Sequence, residues 1–173
     1  MNETIKNILE RRSIRKYKDK EVSEELIDEV LKAGIYAPTG MNRQSPIIIA
    51  ITNKEIRDKL SKINAKIMGV DTDPFYGAPV VIVVLADKNV PTHIYDGSLV
   101  MENMMLAANS LGLGSCWIHR AKEEFETEEG KEILKSLGIK GEYEGIVNCI
   151  LGYPDNEKIE AKPRKENYIY KIK

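Results

Sequence analysis

The apolar segment "APVVIVVLA", residues 78–86, is the feature that most limits how this chain can fold. It is rich in β-branched residues, and it has about half the length that a membrane-spanning helix needs. A strand that is apolar on both faces lies inside a sheet, with one further layer above it and another below. The segment therefore predicts a central sheet sandwiched between helices.

Helical spacing of apolar residues predicts three helices in the first half of the chain. The first is short and ends near Arg11, and the second runs from an N-cap at Ser23 to Pro38. The third begins with Thr52 and Glu55 at the spacing of a capping box. The segment that follows Pro38, "PTGMN", has turn chemistry and predicts a loop over residues 38–45.

The second half alternates helices and strands in the same way. "PIIIAIT", "SCWIH" and "EGIVNCILGY" read as further strands, and "TEEGKEILKSLG" reads as a helix capped by Thr127 and stopped by Gly138. "YDGSLVMENMMLAANSLGLG" reads as a helix that is apolar almost all round. Such a helix must be covered on most sides, so it packs into a domain centre or a subunit interface.

Composition narrows the class of protein. The chain has 173 residues, enough for one domain, and a formal net charge of −1, which argues against nucleic-acid and anionic-membrane partners. Its two cysteines, Cys116 and Cys149, lie far apart in apolar surroundings and are typical of core residues in a reducing cytoplasm. The sequence contains no spacing of metal ligands.

Positive charge is concentrated in "RRSIRKYKDK", residues 11–20. In an extended segment Arg11, Ser13 and Arg15 project from one face, where two guanidiniums and a hydroxyl suit a phosphate. Alternatively, these arginines only complement the negative end of the preceding helix. A second basic group, "KPRK", lies in the tail, where it is either a solvated extension or a further contact to the same dianion.

In order along nearly the whole chain, "RRSIR", "APTGMNRQSP", "DPFYGAPVVIVV", "LAANSLGLGSCWI" and "KPRK" resemble the nitroreductase family of FMN-dependent oxidoreductases. The resemblance implies an α+β fold, a helix–sheet–helix sandwich with a central, mostly antiparallel sheet. It also implies one domain over residues 1–173, a homodimer with swapped termini, and a tail over residues 154–173 that reaches the partner subunit. Two FMN molecules would lie at the dimer interface.

The resemblance also implies a set of FMN contacts. Arg11 and Ser13 would hold the phosphate, Arg12 is included although it should face away, and Arg15 would lie near flavin N1 and O2. The other implied contacts are Lys162 and Arg164 to the phosphate, Pro38, Thr39 and Asn42 from the partner's loop, Asn64 as a polar flavin contact, and Ile118 and His119 over the ring near N5.

The implied activity is transfer of a hydride from NADH or NADPH through flavin N5 to a small electron acceptor, such as a nitroaromatic or a quinone, in a cytoplasmic enzyme. The flavin carries the chemistry, so no catalytic side chain is expected. Two alternatives remain open: a flavin-binding or sensing protein without turnover, and a reductive dehalogenase-type flavoenzyme on the same fold. Gly40 and the pair His119 and Arg120 depart from the family pattern, which leaves the acceptor open.

Overall fold

The computed structural model describes residues 1–155 and 159–173. Its helices are α1 (Glu3–Glu10), α2 (Glu24–Ile35), α3 (Lys54–Met68), α4 (His93–Ser110), α5 (Ala121–Glu126) and α6 (Glu128–Ser136). Its strands are β1 (Pro46–Ile51), β2 (Val80–Asp87), β3 (Gly114–Ile118) and β4 (Tyr143–Gly152). No helix among the described residues is long and apolar enough to cross a membrane.

The four strands form one sheet in the order β1-β2-β4-β3, and each neighbouring pair is antiparallel. The apolar segment that predicted a central strand forms β2, which is paired on both sides and buried along seven of its eight residues. The predicted α+β fold with a mostly antiparallel sheet is therefore confirmed. β1 and β3 form the two opposite edges of the sheet.

Helices cover both faces of this sheet, as the two-sided burial of β2 requires. Val80, Ile82 and Val84 pack toward α2 and α4, whereas Val81 and Val83 pack toward α3, α5 and α6. This alternation follows from the period-two geometry of a strand. The result is the predicted helix–sheet–helix sandwich.

The helix boundaries confirm some of the sequence predictions and correct others. Ser23 and Thr127 cap α2 and α6 as predicted. The capping box at Thr52 was wrong, because the carboxamide of Asn53 takes that role and accepts from the Ile56 amide at 3.0 Å. α4 starts at His93, two residues before the predicted start, and α5 was not predicted.

Several large apolar side chains are exposed to solvent in the single chain. On α1, Ile5 and Leu9 are half-exposed, and on α4, Tyr95 is 70% exposed although the opposite side of that helix is buried in the core. In the tail, Tyr170 and Ile172 are almost fully exposed. The sequence predicted that α4 is covered on most sides, but within a single chain only part of its surface is buried.

Candidate functional site

The basic segment after α1 runs along the β3 edge of the sheet. Ser13 forms a parallel bridge with Ser115, and the Ile14 amide donates to the Ser115 carbonyl at 2.9 Å. Three residues further on, Tyr17 pairs with Pro154, where the chain leaves β4. The segment that follows α1 and the segment that follows β4 therefore meet at this edge.

Arg11, Ser13 and Arg15 all act electrostatically on the thiol of Cys116 on β3. Burial raises the pKa of this thiol, and the charges of Arg15 and Arg11 and a hydrogen bond from Ser13 oppose that rise. This shared effect is what the alternation of an extended backbone predicts, since it places both arginines and Ser13 on the same side of the segment. The Nε atom of Arg11 is buried without a hydrogen-bond partner among the described residues, and its nearest carboxylate oxygen, on Glu102, is 3.7 Å away.

Arg12 does something different from its neighbours. Its Nη1 atom donates to the carbonyls of Leu9 and Arg11, both at 2.7 Å, at the C-terminal end of α1. A cation at this position stabilises the negative end of the helix dipole. The alternative interpretation of the arginine cluster, as helix-end cations, is therefore the one that fits Arg12.

Asn64 of α3 holds residues 118–120, at the C-terminal end of β3, through two hydrogen bonds. The Asn64 amide nitrogen donates to the His119 carbonyl at 2.9 Å, and its carbonyl oxygen accepts from Arg120 Nε at 2.9 Å. Ile118 is buried, and the His119 side chain is exposed. Arg120 has a φ of +80°, a conformation that glycine adopts freely and other residues rarely do.

A buried carboxyl group lies beneath Asn64. Glu124 of α5 is fully buried, accepts from the Asn64 amide, and accepts from Asn148 Nδ2 of β4 at 2.8 Å. Burial raises the pKa of Glu124 to about 7, against the opposing effect of the two amides and of the Arg120 charge. Gly145 permits this arrangement, because a Cβ there would lie 2.1 Å from the Ala121 carbonyl of α5.

The loop over residues 38–45 is held by a second buried carboxylate, Asp96 of α4. Its oxygens accept from the Gly40 amide and the Ser45 hydroxyl at 2.9 Å each, and from the Thr92 hydroxyl at 3.0 Å. Burial alone would raise the pKa of Asp96, but these three donors hold it below its usual value. Within the loop, Asn42 has a φ of +53°, so the anchor holds a strained backbone.

Gly40 has no room for a side chain because it packs against Thr92. A Cβ on residue 40 would lie 2.4 Å from the Thr92 hydroxyl oxygen, which leaves no room for a side chain there. The Thr92 hydroxyl that occupies this space is one of the two hydroxyls that donate to Asp96. Pro38, Thr39 and Asn42 line a groove of about 940 Å³ between this loop, α2 and the start of β1.

The structure brings the predicted site residues together in two groups on opposite edges of the sheet. Arg11, Arg12, Ser13 and Arg15 lie at the β3 edge, as do Asn64, Ile118 and His119. Pro38, Thr39 and Asn42 lie at the β1 edge, three interstrand spacings or about 14 Å across the sheet. Lys162 and Arg164 are exposed on the tail and, among the described residues, form no ion pair or hydrogen bond with either group.

Sequence reasoning missed the two carboxyl anchors. Glu124 lies in "AKEEFETEEG", which resembles a solvated charged run, and Asp96 looks like an ordinary acidic residue of a first helical turn. One available signal was Asn148, a single amide inside the apolar strand "EGIVNCILGY". A polar residue in a buried strand requires a buried partner.

Comparison with known proteins shows the family to which this chain belongs. The model of the Nitroreductase family matches residues 8–74 and 66–153, which include the β3-edge cluster and the loop at the β1 edge. The chain belongs to the nitroreductase family. A protein of Archaeoglobus fulgidus, provisionally named NADH dehydrogenase/NAD(P)H nitroreductase, is 36% identical over 91% of this chain and 89% of its own length.

Solved nitroreductase structures share the whole fold. A nitroreductase with bound FMN from Bacteroides fragilis superimposes with a TM-score of 0.88 at 28% identity, over 100% of both chains. One from Desulfitobacterium hafniense, also with bound FMN, gives a TM-score of 0.87 at 30% identity, over 99% of this chain and 100% of its own.

The β3-edge cluster of this nitroreductase family member fits a phosphate-bearing cofactor. The buried Arg11 Nε lacks a hydrogen-bond partner among the described residues, and a phosphate oxygen is a suitable acceptor for it. Ser13 adds a hydroxyl donor to this cluster, and Arg15 adds a second positive charge. By contrast, no cluster of His, Cys, Asp or Glu in the described part of the chain is suited to a metal ion.

Proposed function

We propose that this chain is an FMN-dependent NAD(P)H oxidoreductase that reduces a small acceptor such as a nitroaromatic or a quinone. The observation that carries the proposal is the convergence of Arg11, Ser13 and Arg15 beside β3 in a chain of the nitroreductase family. A relative from Bacillus subtilis, 26% identical over 95% of this chain and 70% of its own, is named FMN reductase [NAD(P)H]. Its name supports the same cofactor and donor here.

In this proposal the chain binds, orients and tunes the cofactor. Arg11 and Ser13 bind the phosphate, and Arg15 offsets negative charge on the ring, with Ile118 and His119 lying against it. Bound FMN supplies the redox chemistry, taking a hydride from the nicotinamide and passing the electrons to the acceptor. The predicted flavin contact of Asn64 stays a prediction, since all three of its observed partners are protein groups.

The proposed active unit is a homodimer. The loop that carries Pro38, Thr39 and Asn42 lies at the opposite sheet edge from Arg11 and Ser13, so one chain does not bring them to the same cofactor. A second copy, placing its loop over the first copy's flavin, completes the site. Exposed apolar side chains on α1, α4 and the tail are the surfaces that such a partner would cover.

The tail belongs to this proposal as well. It starts beside the basic segment, where the Asp155 amide donates to the Lys16 carbonyl at 3.0 Å. Lys162 and Arg164 are exposed on it, and the proposal assigns them to the phosphate. The proposal includes a cytoplasmic location, which the two buried free thiols favour.

Anaerobic mixing of the purified, FMN-loaded protein with NADH and NADPH tests the activity. Rapid bleaching of the oxidised flavin, followed by reoxidation with a quinone or a nitroaromatic, is expected. Flavin that stays oxidised with both nucleotides would instead indicate a binding or sensing protein.

Site-directed variants test the phosphate assignment separately. The double variant Arg11→Ala/Ser13→Ala should purify without flavin and bind added FMN at least 100-fold more weakly, because it loses two of the charge-assisted contacts. Lys18→Ala removes an equal charge from the same segment at an exposed position and should bind FMN normally. Full FMN occupancy in the double variant would refute the assignment.

A further inference from the structure

The backbone of residues 118–120 is held in an unusual conformation by a buried polar network. Arg120 occupies the left-handed region without being glycine, which strains its backbone. Its guanidinium turns inward and donates to the Asn64 carbonyl oxygen. The Asn64 amide nitrogen in turn donates to the neighbouring His119 carbonyl. The strained backbone therefore persists because Asn64 is fixed.

Asn64 is itself fixed by Glu124. The carboxyl of Glu124 accepts from Asn64 of α3 on one oxygen and from Asn148 of β4 on the other. Asn148 lies directly opposite Ile118 in the β3–β4 register, so the network spans α3, α5 and the edge of the sheet. In the described part of the chain, the charged groups acting on this carboxyl are Arg120 and Glu123, and α3 and β4 present neutral amides to it.

The network has two hydrogen-bonding states. With Glu124 ionised, both amides donate to the carboxylate in charge-assisted bonds. The Oδ1 atom of Asn148 is buried without a partner among the described residues. If Glu124 is protonated and the Asn148 amide rotates, this oxygen can accept the new carboxyl proton, and the bond from Asn64 becomes an ordinary neutral one.

We propose that Glu124 is a positioning residue of the flavin site, whose ionised form locks residues 118–120 through Asn64 and whose protonated form loosens them. The inference rests on the proposed function, because it concerns the same site. The pKa of about 7 means that both forms are populated near neutral pH. Flavin affinity is then expected to fall as the pH drops from 8 to 6.

The test is a set of equilibrium titrations of the apo-protein with riboflavin and with FMN at pH 6 and pH 8. Riboflavin is included because it lacks the phosphate, whose own second pKa is about 6. A His119→Asn background removes the exposed imidazole beside the site. In that background, riboflavin affinity should fall about fivefold between pH 8 and pH 6, since a charge-assisted bond is about twice as strong as a neutral one.

Glu124→Gln supplies the matched control. Its carboxamide keeps the size of the carboxyl, accepts from Asn64 and can donate to the free Oδ1 of a rotated Asn148, but it does not titrate. Riboflavin affinity of Glu124→Gln should then change less than twofold between pH 8 and pH 6. The pH dependence of FMN affinity should be smaller in Glu124→Gln than in the parent, by the same factor as that of riboflavin affinity. Equal pH dependence in the parent and in Glu124→Gln would overturn the inference.

A second variant keeps the test decisive if Glu124→Gln does not fold. Asn148→Ala removes one donor to the carboxylate, so it should move the midpoint of the affinity change to higher pH. An unmoved midpoint would contradict the proposed network.

The side-chain amide signals of Asn64 and Asn148 in the apo-protein provide a readout that needs no flavin. They should shift with a midpoint near pH 7. If they do so while the protein binds neither riboflavin nor FMN, the proposed function fails and the titrating network stands without its flavin role. Signals that do not respond between pH 5 and pH 9 would overturn the inference itself.

Discussion

Asp96 and Glu124 are both buried carboxyl groups, yet their pKa values shift in opposite directions. Asp96 is 2% exposed and Glu124 is 0% exposed. Asp96 accepts from one backbone amide and two hydroxyls, and its pKa is lowered. Among the described residues, Glu124 accepts only from two side-chain amides, and burial raises its pKa to about 7. Burial alone does not set the charge of a carboxyl, because the donors facing it also count.

The difference divides the site into a fixed half and an adjustable half. Asp96 holds the loop over residues 38–45 with a charge that persists through neutral pH. Glu124 holds the segment over residues 118–120 with a charge that changes near neutral pH. The two halves lie at opposite sheet edges.

The largest expected effect comes from removing the fixed anchor. Asp96→Ala leaves the Gly40 amide and the hydroxyls of Ser45 and Thr92 without their acceptor, so unfolding free energy at pH 7 should fall by about 3–4 kcal/mol. Asp96→Asn keeps the shape of the side chain and one acceptor oxygen, so its free energy of unfolding should fall by about half as much. Urea denaturation measures both.

The pH dependence of the Asp96→Asn effect tests whether the charge of Asp96 stabilises the fold. The folded pKa of Asp96 is lowered, so its charge stabilises the fold above the unfolded pKa of about 4, and this stabilisation is lost as the pH falls through the folded value. The difference between the parent and Asp96→Asn should therefore be largest near pH 7 and shrink below pH 3. A difference that does not change with pH would show that the charge is irrelevant.

Glu124 should show the opposite slope. Burial outweighs the stronger bonds that the ionised carboxylate makes to the two amides, so the folded pKa of about 7 is above the unfolded value. The protonated form therefore favours the fold as a whole, and stability falls as the pH rises from about 4.5 to 7. Between pH 5 and pH 8 this single group should cost about 2 kcal/mol, and Glu124→Gln should remove that slope. Urea titrations at several pH values test it, and an unchanged slope in Glu124→Gln would mean that Glu124 is already ionised at pH 5.

Substitutions at Gly40 and Thr92 should change the stability of the fixed half by a smaller amount. Gly40→Ala should cost about 1–3 kcal/mol, because the new Cβ meets the Thr92 hydroxyl. The double variant Gly40→Ser/Thr92→Ala moves the hydroxyl from one residue to the other and should recover most of the loss. Thermal unfolding compares the three proteins, and a double variant that is no more stable than Gly40→Ala would contradict the exchange.

Arg120 gives the smallest effect, on the adjustable half. Arg120→Gly and Arg120→Ala both remove the guanidinium that Asn64 accepts from, but only glycine adopts a φ of +80° without strain. Arg120→Ala should therefore be about 1 kcal/mol less stable than Arg120→Gly. Equal stabilities would mean that the backbone relaxes at this residue.

The sequence predicted the sheet and most helices because the apolar periodicity is strong, as it is in β2. It predicted that Arg11, Ser13 and Arg15 share one side of the segment, because alternation along an extended chain is a local property. The Asp96 and Glu124 networks were not predictable in the same way. They join residues about 50 and 60 positions apart, and only the folded chain brings those together.

The most direct test of the account is the mass and flavin content of the reconstituted protein in solution. Sedimentation equilibrium with FMN should give twice the mass of one chain, with one FMN per chain, because the two halves of the proposed site meet only between copies. A monomer that binds one equivalent of FMN as tightly as the reconstituted protein would contradict the shared site.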